Sequence, residues 1–118
     1  MIVTGSGTPT LLDRIQSNFP GLFDENHIIS SFNVKRGKPY PDPYLLALER
    51  GGLKPNEAIV VENAPLGVTA GVAAGLFTVA VNTGLLKDEV LSNAGASLVY
   101  PSMLALCDDW EELFSILK

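Results

Sequence analysis

Short apolar runs alternate with stretches of helical periodicity from one end of this chain to the other, and that alternation leaves few folds open. The runs are Met1 to Thr4, Ile28 to Phe32, Ala58 to Val61, Phe77 to Val81 and Ser97 to Tyr100. Between them, Leu11, Leu12, Ile15 and Phe19 recur at helical spacing, and Leu45 to Leu48 fill a second helix. Pro65 to Ala74 reads as a helix of small residues, Lys87 to Asn93 as a short helix, and Pro101 onward as helical to the end. Thr8-Pro9 and Asp42-Pro43 each read as a cap followed by a first-turn proline, with Asp42 as an N-cap; Gly51-Gly52 and Gly75 read as stops. The order β-α-β-α-β-α-β-α-β-α with short connections predicts a parallel sheet between helices, a three-layer α/β/α Rossmann-like architecture. Ala58 to Val61 is continuous in the way of a strand buried on both faces.

The chain has 118 residues, which suits one domain, and at 47% hydrophobic and 18% charged it can bury a core. Its net charge of -5 argues against a nucleic-acid surface. No apolar run approaches the roughly 20 residues that span a bilayer, so no membrane role is expected. A single cysteine excludes an internal disulfide and a cysteine metal cluster, and fits a cytoplasmic setting. Cys107 and Trp110 are expected to pack in the terminal helices, and the lone His27 to be an ordinary loop residue.

In an open parallel sheet, ligands bind beyond the carboxyl ends of the strands. Here the first strand runs into Thr4-Gly5-Ser6-Gly7, and the second leads to Lys35-Arg36-Gly37-Lys38-Pro39. The third ends in Glu62-Asn63 and the fourth in Asn82-Thr83-Gly84. One sheet edge therefore gathers a hydroxyl, an ammonium, a carboxylate and a carboxamide. Hydroxyls and loop N–H groups donate to phosphoryl oxygens, and a lysine ammonium is a point charge suited to the same anion. Magnesium takes hard oxygens, usually one or two carboxylates with water and substrate. Glu62 offers a carboxylate and Asn63 a neutral oxygen. Lys35 and Arg36 are expected to be solvated, and Gly67 and Gly71 to be packing positions.

Thr4 after its strand, Gly-Lys-Pro-x-Pro-Asp at Gly37 to Asp42, and Val-Glu-Asn-Ala-Pro-x-Gly-Val-x-Ala-Gly at Val61 to Gly71 resemble the second to fourth motifs of the haloacid dehalogenase superfamily. The likeness covers the whole chain and is greatest to the β-phosphoglucomutase-like phosphatases and phosphomutases. The Glu-Asn pair and the Thr-Gly-Ser-Gly loop resemble a branch that includes an inorganic pyrophosphatase. The resemblance implies that Thr4, with Gly5 and Ser6, binds phosphate, that Lys38 neutralises phosphate and nucleophile, and that Glu62 and Asn63 hold Mg2+ directly or through water. Many members carry Glu-Asp there, so Asn63 removes one negative charge from the cation site.

The family's first motif, Asp-x-Asp after a leading strand, does not occur in this sequence, and neither does the helical cap inserted after it. Its first aspartate is the nucleophile, and no other residue here is an obvious substitute. The resemblance thus implies the C-terminal part of a magnesium-dependent phosphohydrolase acting through an aspartyl-phosphate on a phosphate ester or anhydride, inactive alone. It also implies that a central strand between those ending at Thr4 and Glu62 is missing. Two open edges would then need an oligomer or an N-terminal half to cover them. A phosphomutase and a non-catalytic phosphate- or partner-binding relic are the alternatives. A signalling receiver has its acids, hydroxyl and lysine in another order, and Gly5-Ser6-Gly7 lacks the third glycine of a dinucleotide fingerprint.

Overall fold

The computed structural model describes residues 1–117. Its strands are β1 (Ile2–Val3), β2 (Ile28–Ile29), β3 (Ile59–Glu62), β4 (Phe77–Val81) and β5 (Leu98–Tyr100). Its helices are α1 (Leu11–Asn18), α2 (Asp42–Gly51), α3 (Pro65–Ala73), α4 (Asp88–Asn93), α5 (Met103–Asp108) and α6 (Trp110–Leu117). The expected terminal helix included Lys118, which lies outside the described residues.

Each strand pair among the described residues is parallel, as the alternation predicts, and the sheet comes in two parts. In one, β1 pairs β2 with Ile2 opposite Ile28. In the other, β4 lies between β3 and β5, with Ile59 opposite Phe77 and Val79 opposite Leu98. No hydrogen-bonded ladder joins β1 to β3. A cavity of about 300 Å3 between them is lined by Met1, Val3, Leu48, Ile59 and Val61 among others. Helix α2 packs on β1, β2 and α3 and so ties the two parts together.

The larger part has helices on both faces. Val79 and Val81 of β4 meet Leu106 and Leu113 of α5 and α6. Ala80 meets Val68 of α3 and Leu91 of α4 on the opposite face. Val60 of β3 joins Tyr44 and Leu48 of α2 with Ala70, Ala74 and Leu76. Successive strand residues point to opposite faces, so a continuous apolar strand feeds both layers. Gly71 lets α3 lie close to the sheet: a Cβ there would stand 2.7 Å from Thr78 Oγ1 and 3.2 Å from the Val60 methyls. Helix α2 stops at Gly52, whose φ of 63° is left-handed and whose N–H meets the Glu49 and Leu48 carbonyls. No helix among the described residues is long and apolar enough to cross a membrane.

Several local expectations change. The strand expected over Ile28 to Phe32 ends at Ile29. The Ser30 hydroxyl accepts from Phe32 N–H, and the Asn33 Oδ1 accepts from Ser30 N–H at 2.8 Å, winding Ser31–Asn33 into a 3-10 turn. Thr8-Pro9 does not open α1, which begins at Leu11 with Thr10 in front; the Thr8 hydroxyl pairs instead with that of Ser6 at 2.9 Å. Pro41, rather than Asp42, stands before α2, and the Asp42 carboxylate takes the Arg36 guanidinium at 3.0 Å. Arg36 also lies 4.5 Å from the Tyr40 ring centroid, so it is a paired surface group rather than a merely solvated one. Cys107 and Trp110 lie in α5 and α6 as expected; Trp110 is 41% exposed and stacks on Phe114, while Cys107 is exposed.

Candidate functional site

The carboxyl ends of β1 and β3 open on one cavity of about 830 Å3. Thr4 and Gly5 come to it from β1, Glu62 and Asn63 from β3, Thr83 from the segment after β4, and Lys38 from the loop before α2. Thr4, Gly5, Glu62, Asn63 and Thr83 are delivered by one rule: a strand ends, and its last residue or the next one or two sit on the sheet edge; Lys38 reaches the cavity from a longer loop.

Thr4 is anchored by its backbone N–H to the Ile29 carbonyl at 2.9 Å. Its hydroxyl oxygen accepts the Ser6 N–H at 3.1 Å, which curls the loop over the strand end. The Ser6 side chain is not on the cavity wall; it is held within the loop by Thr8. Of the expected phosphate-binding set, the structure therefore brings Thr4, Gly5 and Lys38 to the cavity and sets Ser6 behind them.

Lys38 bridges the two parts of the sheet. Its ammonium donates to the Val3 carbonyl of β1 at 3.1 Å and to Glu62 Oε1 at the end of β3. Both side chains are largely covered, at 17% and 8% exposure, so this is no solvent-screened surface pair. The Tyr44 hydroxyl also donates to Glu62 Oε1, and the Lys38 ammonium lies 5.4 Å from the Tyr44 ring centroid. Burial first, then the hydrogen bond and charge of Glu62, push the Tyr44 phenol far above the ordinary tyrosine value, so it stays a donor. Glu62 Oε2 takes the Asn63 N–H at 3.3 Å. No buried side-chain nitrogen or oxygen among the described residues lacks a partner.

Space for that carboxylate comes from Gly67, in the first turn of α3. A Cβ at Gly67 would overlap all three atoms of the Glu62 carboxylate group. Gly67 is thus a packing position, as expected, and what packs on it is the site itself. The role of Tyr44 is not legible in the sequence. The available signal was its place two residues after Asp42, in the first turn of the helix that follows the lysine loop.

The donor set for a divalent cation is partial. Among the described residues no group of three His, Cys, Asp or Glu side chains converges. Glu62 Oε1 is taken by Lys38 and Tyr44, and the Asn63 amide nitrogen donates to Thr83 Oγ1 at 3.3 Å. What fits a hard cation is Glu62 Oε2 with the Asn63 carbonyl oxygen, two oxygens of the kind magnesium shares with substrate. No aspartate lines the cavity.

Residues 2–81 match the family model for haloacid dehalogenase-like hydrolases. A solved structure described as a putative beta-phosphoglucomutase from Bacteroides vulgatus is 61% identical, with a TM-score of 0.94. That match covers 100% of this chain and 47% of the other. Hexitol phosphatase A of Escherichia coli (strain K12) is 44% identical over 81 residues, 69% of this chain and 37% of its own length. Fructose-1-phosphate phosphatase YqaB of the same organism is 39% identical over 54 residues, 46% of this chain and 29% of its own. The chain spans less than half the length of each of these proteins. On the extent of the family match and the order of its motifs along the strands, this chain belongs to the haloacid dehalogenase-like hydrolases.

Proposed function

We propose that this chain carries the phosphate- and cation-binding part of a sugar-phosphate phosphatase, with the nucleophilic aspartate supplied from outside these residues. The observation that carries this is the convergence of Thr4, Lys38, Glu62 and Asn63 on one cavity at the carboxyl ends of β1 and β3. The Thr4 hydroxyl and Gly5 N–H donate to two phosphoryl oxygens. Lys38 places its charge against the third oxygen and the incoming carboxylate. Glu62 holds the ammonium over the gap between the strands, where a nucleophile would have to enter. Magnesium bound to Glu62 Oε2 and Asn63 would neutralise charge on the transferring group, which is the chemistry that the ion supplies. With one carboxylate rather than two on the protein side, its hold depends more on the substrate phosphate.

Sugar phosphates are the preferred substrates because hexitol phosphatase A and fructose-1-phosphate phosphatase YqaB are among the relatives. Pyrophosphate is the second reading, carried by Glu62-Asn63 and Thr4-Gly5-Ser6-Gly7. The test is an assay of the purified chain with magnesium against a hexitol phosphate, fructose 1-phosphate, pyrophosphate and p-nitrophenyl phosphate. Each is run with the chain alone and with the N-terminal part of a full-length relative added. The chain alone is expected to bind phosphate without turnover, and the mixture to hydrolyse a sugar phosphate. Turnover by the chain alone, abolished by replacing one of its own aspartates, would overturn the proposal. A mixture active on pyrophosphate alone would select the second reading.

A further inference from the structure

We propose that Tyr44 is a positioning residue for the phosphate site, fixing the Glu62 carboxylate so that Glu62 in turn fixes the Lys38 ammonium; this rests on the phosphate-binding reading above. Three observations carry it. The Tyr44 hydroxyl and the Lys38 ammonium donate to the same oxygen, Glu62 Oε1, so the phenol sets the carboxylate's rotation at the atom that holds the lysine. The ring sits under the ammonium at 5.4 Å, so one side chain touches both members of the pair. Tyr44 is itself 6% exposed and locked against Leu48, Val60 and Ala70, so its hydroxyl has little freedom to leave.

The geometry explains a second point. Glu62 uses one oxygen for the lysine and the phenol and keeps the other toward the Asn63 backbone. Without the phenol, Oε1 would be held by the lysine alone, and the carboxylate could turn to offer both oxygens to a cation. Tyr44 thereby divides the carboxylate's work between ammonium and cation.

The test uses the whole chain and two readouts. The first is the proton–nitrogen NMR correlation of the Lys38 ammonium without ligand, which reports how firmly the charge is held. The second is the Kd for inorganic phosphate from amide shifts of Thr4 and Gly5. Tyr44→Phe keeps the ring and the packing and removes only the hydroxyl. It is expected to speed exchange of the Lys38 ammonium protons and to weaken phosphate binding by about 5- to 10-fold, the scale of one ordinary net hydrogen bond. In a Glu62→Gln background the same substitution is expected to add nothing, because the two act as one unit. Leu48→Ala, in the same cluster but away from the carboxylate, is expected to lower stability and leave Kd unchanged. An unchanged ammonium signal and Kd in Tyr44→Phe would overturn the proposal, as would equal phosphate losses in Tyr44→Phe and Leu48→Ala. A wild-type chain that does not bind phosphate would overturn the site reading instead, while the ammonium signal would still judge the role of Tyr44.

Discussion

A methyl group added at Gly67 would occupy the place of the Glu62 carboxylate, so the glycine of this helix and the acid of the preceding strand are one feature. Gly67→Ala must either push α3 off the sheet or expel the carboxylate from Lys38 and Tyr44. Overpacking alone costs about 1–3 kcal/mol, to be read as a lower urea midpoint. Gly71→Ala meets Thr78 and Val60 instead and should cost a similar amount. The two differ in function: Gly67→Ala is expected to lose phosphate affinity as well, while Gly71→Ala keeps it. Equal phosphate affinity in the two variants would show that Glu62 finds its place without the space at Gly67. Composition and spacing identified both glycines as packing positions; only coordinates reveal that one of them packs on a charge.

Among the elements, what the sequence made legible were the long apolar strands. Ala58 to Val61 and Phe77 to Val81 lie within one residue of β3 and β4, because a continuous apolar run admits few other structures. β4 is buried on both faces; β3, expected to be so too, is not, because Val61 faces the gap toward β1 and is 41% exposed. What was not legible turned on polar side chains competing for the backbone. Ser30 and Asn33 ended β2, the Ser6–Thr8 pair delayed α1, and Asp42 preferred Arg36 to a cap. The terminal helix shows the same competition. It was expected to run unbroken from Pro101, and Asp109 divides it into α5 and α6 while accepting from the Tyr100 hydroxyl. That hydrogen bond, ahead of burial and the charges of Asp109 and Glu112, raises the Tyr100 pKa above its ordinary 10.0. A raised folded-state value has a definite sign. The bond's contribution is whole below the unfolded tyrosine value and is lost as the pH climbs through the folded one. Titration of the Tyr100 ring by NMR is expected to show its midpoint fall back toward the ordinary value in Asp109→Asn. A midpoint unmoved by that change would mean that Asp109 is not what holds the proton.

At the scale of the whole molecule, the two parts of the sheet are unequal. In β4, Thr78, Val79, Ala80 and Val81 are each 1% exposed or less, and the strand has a partner on both sides. In the other part, β1 and β2 are two residues each, and β1 faces β3 across the apolar cavity without a ladder. What joins the parts at the carboxyl end is the Lys38 ammonium, held by the Val3 carbonyl and by Glu62, with α2 across the gap. A ladder only two residues long and an unpaired edge mark a segment that opens on its own, below the free energy of global unfolding. The amides of Ile2, Val3 and Ile28 are therefore expected to exchange with solvent at least about tenfold faster than those of Val79 and Ala80, a gap of roughly 1.4 kcal/mol. Lys38→Met, which removes the bridge but keeps the length of the side chain, should widen that gap by exposing β1 further while leaving β4 unchanged. The N-terminal part of a full-length relative, if it fills the cavity between β1 and β3, should close the gap instead. Protection that is uniform across both parts in the chain alone would mean that α2 suffices to make them one cooperative unit. The opening between β1 and β3 would then be a packing defect rather than the place where a partner strand belongs.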